Sequence, residues 1–269
     1  FSYFSTMRLL VFLMLVLPGL SFAQDTTTVV AKVLDTITPL KADRFIGIDS
    51  YNNLYYLKRR ALFKVGNNHS IQFSDLRLGE ISTVDILNPL KITVFYAETQ
   101  TAVILDNTLN EITRVTFSEL ENFRNVSHAS TARDGQLWIF NTDLQRLELF
   151  DYRTNRILSD FLPQPDNALD LASDFNTCWV LTANMLYQYN AYGSLISKQT
   201  VTNLERVALY DEHLFGLENG KLFAKAKTQN NLLPIKNISE AGFQFYYKSG
   251  ILYLYHSAFI SYYNLNLPK

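Results

Sequence analysis

Cysteine is nearly missing: Cys178 is the single one in 269 residues, so no disulfide can form within the chain. Stability must therefore come from a packed core, for which the length is ample. A charge excess is missing as well. Lys and Arg total 24 against 25 Asp and Glu, and a near-neutral chain lacks the basic face of a nucleic-acid binder or a polybasic membrane-surface protein. No HExxH, GxSxG or glycine-rich phosphate loop occurs, so the common metalloprotease, hydrolase and nucleotide motifs are excluded. The histidines His69, His128, His213 and His256 are scattered without a pair at metal-ligand spacing, which fits structural or solvated roles.

One long apolar run exists, in "MRLLVFLMLVLPGLSFAQ" from Met7. Arg8, the run Leu9 to Leu17, the Pro18-Gly19 break and the small residues Ser21 and Ala23 follow the layout of a cleaved secretory signal. The run is far short of the roughly 20 residues that span a bilayer. The expected organisation is residues 1–23 as upstream residues plus signal, with cleavage after Ala23, and residues 24–269 as one domain without a membrane span. Losing Arg8 takes the net charge from −1 to −2. No cysteine follows the run to carry a lipid.

What the chain has in abundance is aromatic residues, with 16 Tyr and 19 Phe, and they recur in phrases. "LWIFNTDLQRLELFD" at 137–151 and "LFGLENGKLFAKA" at 214–226 each place two apolar bursts around a polar break. The pairs Leu54-Tyr55, Ile92-Thr93, Leu137-Trp138, Cys178-Trp179, Leu214-Phe215 and Leu252-Tyr253 open such phrases at steps of 38, 45, 41, 36 and 38 residues. Turn-forming clusters precede them: "DSYNN", "LNPLK", "ARDGQ", "SDFNT", "YDEH" and "YKSG". The bursts are short and rich in β-branched and aromatic residues, as strands are. Helix-like windows such as "FSELENF" at 117–123 are brief and fall between units.

A period of about 40 residues with about four strands per unit marks an all-β fold, the β-propeller. A lone four-stranded sheet cannot bury both faces, whereas neighbouring blades bury each other's. Six blades fit the length, with five and seven as alternatives; a β-sandwich would give frequent turns without the superperiod. The last unit holds three strands, and "TTTVVAKVL" at 26–34 is a lone strand ahead of the first unit near Phe45. These residues are expected to complete the last blade and close the ring, removing open sheet edges.

Within this frame Cys178 reads as a small buried hydrophobe, because it fills a Leu or Ile slot. Asp134-Gly135 reads as a turn, lacking the other ligands of a calcium loop. The sequons at 68–70, 125–127 and 237–239 matter only in a eukaryotic secretory pathway. No catalytic, cofactor or metal residues are assigned. The innermost strand entries, such as "HASTA" at 128–132 and "LDLAS" at 169–173, look small or apolar, which counts against a ligand in the central channel. Lys58, Arg59 and Arg60 form the most basic stretch and fall in a hairpin on one rim, either as a solvated turn or as a partner-facing patch.

The segment "DILNPLKITVFYAETQTAVILDNTLNEI" at 85–112 resembles small periplasmic β-propeller proteins of Bacteroidota. Among these is the PorD-like accessory subunit of the type IX secretion translocon. The likeness is clearest over residues 43–160. It implies a non-enzymatic subunit, periplasmic and held at the outer membrane by protein partners in a secretion or gliding assembly. Two readings compete with it: a stand-alone propeller binding a small molecule or glycan in its channel, and a propeller lyase or hydrolase.

Overall fold

A computed structural model describes residues 28–66, 69–226, 229–238 and 244–267, apart from the side chains of Asp35 and Asp160. Residues 1–27, which carry the expected signal, lie outside the described residues, as do Asn68 and Ser239 of two sequons. No helix among the described residues is long and apolar enough to cross a membrane.

The described strands form six antiparallel sheets of four strands, arranged as the blades of a propeller. Blade I is Arg44–Ile48, Leu54–Lys58, Ala61–Val65 and Ser70–Phe73; blade II is Thr83–Asp85, Ile92–Tyr96, Thr101–Leu105 and Glu111–Thr116. Blade III is Val126–Thr131, Gln136–Asn141, Arg146–Asp151 and Arg156–Asp160; blade IV is Asp170–Ser173, Thr177–Leu181, Met185–Asn190 and Leu195–Thr200. Blade V is Arg206–Tyr210, His213–Glu218, Lys221–Lys225 and Leu233–Lys236; blade VI starts with Gln244–Lys248, Ile251–Tyr255 and Phe259–Asn264.

The N-terminal segment closes the ring, with boundaries shifted from those expected. Lys32–Pro39, rather than residues 26–34, pairs antiparallel with Phe259–Asn264 as the fourth strand of blade VI. Just before it, Val29–Val30 adds a short parallel strand to the outer edge of blade V. The expected strand mixed two elements because Ala31, buried at 2 % exposure, marks where the chain leaves one blade for the next.

Repeated phrases map onto the second and third strands of each blade. These are the most enclosed elements: Ile92–Tyr96 and Thr101–Leu105 are buried at every position. The six turn clusters connect first to second strands, as expected. Asp134-Gly135 is one of them, with Gly135 at a φ of 78° and Asp134 paired to Lys91 of the neighbouring blade. The "FSELENF" window reduces to a single 3-10 turn, Phe117–Glu119, whose Phe117 is buried between Phe95 and Phe150.

Blades pack through interdigitated aromatics. Trp138 of blade III is fully buried, meets Phe161 edge-on at 5.9 Å, and donates from Nε1 to the Asp174 carbonyl of blade IV at 3.0 Å. Cys178 is fully buried in the same cluster, and burial pushes its thiol well up, so it behaves as packing material. Glu148 is buried between Arg124 at 3.1 Å and Arg146 at 2.9 Å, which supply the counter-charge that a buried carboxylate needs.

Trp138→Ala removes one of these wedges. Truncating a buried Trp costs about 3–5 kcal/mol, and each kcal/mol moves Tm by roughly 2–4 °C at this size. Calorimetry should therefore show a fall of about 6–20 °C, and a shift under 3 °C would refute the inter-blade role.

Candidate functional site

The first strand of every blade has a sheet partner on one side only. Its other edge faces the central axis with unpaired backbone groups, which must find partners or water. The sequence supplies side chains for this. Three residues beyond the start of each repeated pair stand Leu57, Phe95, Phe140, Leu181, Leu217 and Tyr255. Opposite them on the first strands lie Arg44, Thr83, His128, Asp170, Arg206 and Gln244. One polar residue per blade thus sits at the same height, forming a ring at one mouth of the channel.

Four of these side chains reach forward to the backbone of the following blade. Gln244 Oε1 accepts from Phe45 N at 2.5 Å, joining blade VI to blade I. Arg44 donates from Nη1 to the Ser82 carbonyl at 2.8 Å and from Nη2 to that of Ile81 at 3.2 Å. Thr83 Oγ1 donates to the Ala129 carbonyl at 3.4 Å, while His128 Nδ1 meets Ser127 Oγ at 2.9 Å within its own strand. Asp170 Oδ2 accepts from Val207 N at 3.0 Å. At the joint from blade V to blade VI, Tyr210 packs against Phe245 at 6.3 Å and Tyr246 at 4.5 Å.

Two residues further along each strand, the pattern continues. Asp85 Oδ2 accepts from Thr131 N at 2.7 Å, and the Ser130 and Ser173 hydroxyls meet at 2.8 Å. Tyr246 lies flat on Gly47 across the closing joint, so closely that a Cβ at Gly47 would collide with the ring. In blades II and VI alternate residues of the first strand, Thr83 with Asp85 and Gln244 with Tyr246, thus point at the next blade.

Inside the ring is a cavity of about 390 Å³. The expectation of small, apolar channel entries is corrected here. Asp170 and His128 are the ionisable members of the two quoted stretches, and register brings them together with Arg44, Asp85, Arg206, Tyr210, Gln244 and Tyr246. The ring repeats a position instead of a residue type. Its members precede the repeated pairs by eight to ten residues, because the intervening turns differ in length. Counting back from each turn is the signal that finds them.

Burial sets the electrostatics. It pushes the Asp85 and Asp170 carboxyls up, against the two backbone N–H groups that each accepts. Burial holds the His128 imidazole below its ordinary range, outweighing the pull of Asp170. Burial and the neighbouring Arg206 both lower Arg44. The ring can thus present guanidinium charge and a neutral imidazole at neutral pH.

The rim patch stands apart on the same end of the propeller. Arg59 and Arg60 form the turn after Lys58, both at positive φ, with Arg60 Nε 2.5 Å from Glu80 and the Arg59 N–H donating to Asp43 at 2.7 Å. An exposed pair of this kind adds little stability, which leaves the charge available to a partner. His213 and His256 are away from the channel; His256 Nε2 meets Ser261 Oγ at 2.7 Å. No cluster of metal-ligating residues occurs among the described residues.

A depressed histidine makes stability pH-dependent with a definite sign. The unfolded His128 takes a proton near its ordinary pKa of about 6.5, while the folded one resists until lower pH. Stability present above that value is lost as pH falls through it. The raised Asp85 and Asp170 act oppositely, favouring the native state on acidification. His128→Asn should flatten the decline in denaturation free energy between about pH 7 and 5; an unchanged slope would show that His128 does not contribute.

No family model and no curated protein matches the sequence. Solved structures do share the fold. PorZ, an essential bacterial surface component of the type-IX secretion system of Porphyromonas gingivalis, is 13% identical at a TM-score of 0.51. That match covers 81% of this chain and 31% of PorZ, so the chain spans about a third of PorZ's length. A streptogramin B lyase is 11% identical at a TM-score of 0.57, covering 88% of this chain and 97% of the lyase. The WD40 domain of Neurospora crassa Pan2 is 8% identical at 0.55, covering 85% and 76%. At these identities the likeness is one of fold, and these relatives of unlike function agree on a propeller alone.

Proposed function

We propose that this protein is a non-enzymatic accessory subunit of an outer-membrane protein-export assembly of the type IX secretion or gliding class. It is periplasmic and held to the membrane by the partner proteins that its loops and rims contact. The observation that carries this reading is an exposed apolar arc at the end of the propeller bearing the polar ring. Phe123, Leu144, Leu162 and Leu169 are 59%, 48%, 75% and 52% exposed. They lie in the link between blades II and III, a hairpin turn of blade III, and the link to blade IV. Backbone bonds join these segments: Thr142 N donates to the Asn125 carbonyl at 2.8 Å and Gln164 N to the Gln145 carbonyl at 2.6 Å. Apolar side chains on pre-organised turns bind a protein surface at little entropic cost.

Two further points support it. The channel carboxylates Asp85 and Asp170 and the Gln244 amide accept from backbone N–H groups, as structural staples do. The fold shared with PorZ agrees with the resemblance of residues 85–112 to the type IX propeller subunit. Lys58, Arg59 and Arg60 provide a basic flank at the same end of the disc.

The test is affinity purification of the tagged protein from membranes of its native cell, with mild crosslinking. Outer-membrane export subunits should be recovered in fixed stoichiometry. Phe123→Ser combined with Leu162→Ser should cut recovery about tenfold, the effect of losing roughly 1.4 kcal/mol of interface energy, without lowering Tm. Undiminished recovery would remove the apolar arc from the interface. Replacing Lys58, Arg59 and Arg60 by Ser tests the basic flank in the same assay, and unchanged recovery removes that patch.

A further inference from the structure

The wall of the central cavity carries an imbalance between donors and acceptors. Its cations are occupied. Arg44 turns Nη1 and Nη2 to the Ser82 and Ile81 carbonyls, Arg206 is itself engaged, and Lys248 Nζ donates to the Asp49 carbonyl and to Asn52 Oδ1 at the opposite mouth. Capacity remains among the acceptors. Asp85 takes N–H bonds from Leu87 at 2.8 Å and Thr131 at 2.7 Å, and Asp170 from Leu171 at 2.9 Å and Val207 at 3.0 Å. A carboxylate can accept roughly four. Tyr210 of blade V and Tyr246 of blade VI also line the cavity, with ring centroids 4.5 Å apart, and neither hydroxyl has a hydrogen-bond partner among the described residues. Burial comes first in pushing the Tyr246 hydroxyl up, and Tyr210, Asp211, Asp85 and Asp49 follow, so the leading charges acting on it are acids. Burial also raises the Tyr210 hydroxyl, where Arg206 pulls against Asp85 and Asp170.

Such a surface has acceptors left over and cations used up, with aromatic rings alongside. We infer that the central channel binds a small organic cation, a primary ammonium carried on a body of one or two rings. Its ammonium lies at the Tyr210 and Tyr246 hydroxyls and the Asp85 carboxylate, and its body lies along the two tyrosine rings. An ammonium has three donors and no acceptor, which matches a wall with acceptors to spare. Its charge is also attracted to the faces of tyrosine rings. The volume of about 390 Å³ admits a molecule of that size. A cation beside Asp85 stabilises the ionised carboxylate, whose pKa burial pushes up. An uncharged counterpart gains none of that attraction, and an anion meets the acids around Tyr246. The site is separate from the docking arc, because Phe123, Leu144, Leu162 and Leu169 do not line the cavity.

The experiment is isothermal calorimetry on the full chain at neutral pH with phenethylamine as the probe, and phenethyl alcohol and hydrocinnamate as its neutral and anionic counterparts. Saturable one-to-one binding of phenethylamine is expected, about tenfold or more tighter than either counterpart. Tyr210→Phe combined with Tyr246→Phe keeps both rings and removes only the hydroxyls. That pair should weaken binding about tenfold, as losing hydrogen bonds to a charged group does. It should melt as the unaltered chain does, because the hydroxyls bond nothing in the fold. Asp85→Asn removes the charge and should weaken binding in the same way. Since Asp85 also ties blade II to blade III, a variant that fails to fold leaves the decision to the tyrosine pair. Phenethylamine that does not saturate, that binds no tighter than phenethyl alcohol, or that binds the tyrosine pair unchanged would each overturn the inference. Partner recovery in the membrane purification does not depend on the two hydroxyls, so failure here and failure of the docking arc are separate results.

Discussion

The inner edges of six sheets converge on one axis, and each edge carries backbone donors and acceptors that no strand can pair. This constraint organises the centre of the molecule. Filling the axis with apolar side chains would strand those groups in a dry environment, at a cost of about 1–3 kcal/mol each. The chain instead places one polar residue at the same height on each first strand, and Arg44, Thr83, Asp170 and Gln244 bond the backbone of the next blade. A second tier built from Asp85, Ser130 and Tyr246 repeats the solution two residues on. Blade packing and channel polarity are therefore one arrangement: the side chains that lash the ring together also line the cavity.

This explains which parts of the molecule were legible in the sequence. The second and third strands are the most enclosed elements, fully so in blade II, so every unit needs the same class of residue there, and Leu54-Tyr55, Leu137-Trp138 and Leu252-Tyr253 look alike. The ring positions need only a side chain that bonds backbone across a joint. Arg, Thr, Asp and Gln all do so, and the six residues share no letter pattern. Their spacing from the repeated pairs also drifts with turn length. A pattern search over residue types passes over them, although register identifies them at once.

The N-terminal strand shows the same limit in another form. Its β-branched residues announced an extended segment, yet Val29–Val30 and Lys32–Pro39 serve different blades. Alternation along the sequence reveals that a strand exists. It does not reveal which edge will receive it, because both edges offer equivalent backbone. The basic hairpin at Lys58–Arg60 was easier to place, since a turn between two repeated bursts has one location in a blade.

Closure by a segment that touches blades V and VI has a temporal consequence. Val29–Val30 and Lys32–Pro39 precede all six blades in the chain and find their partners only when blades V and VI exist, so these long-range contacts are made last. Until then the chain is an open crescent with two unprotected β edges, a form prone to pairing with other copies of itself. Once shut, the clasp of Val29–Val30 on blade V and Lys32–Pro39 in blade VI ties these two blades together, so that neither opens without releasing the same segment.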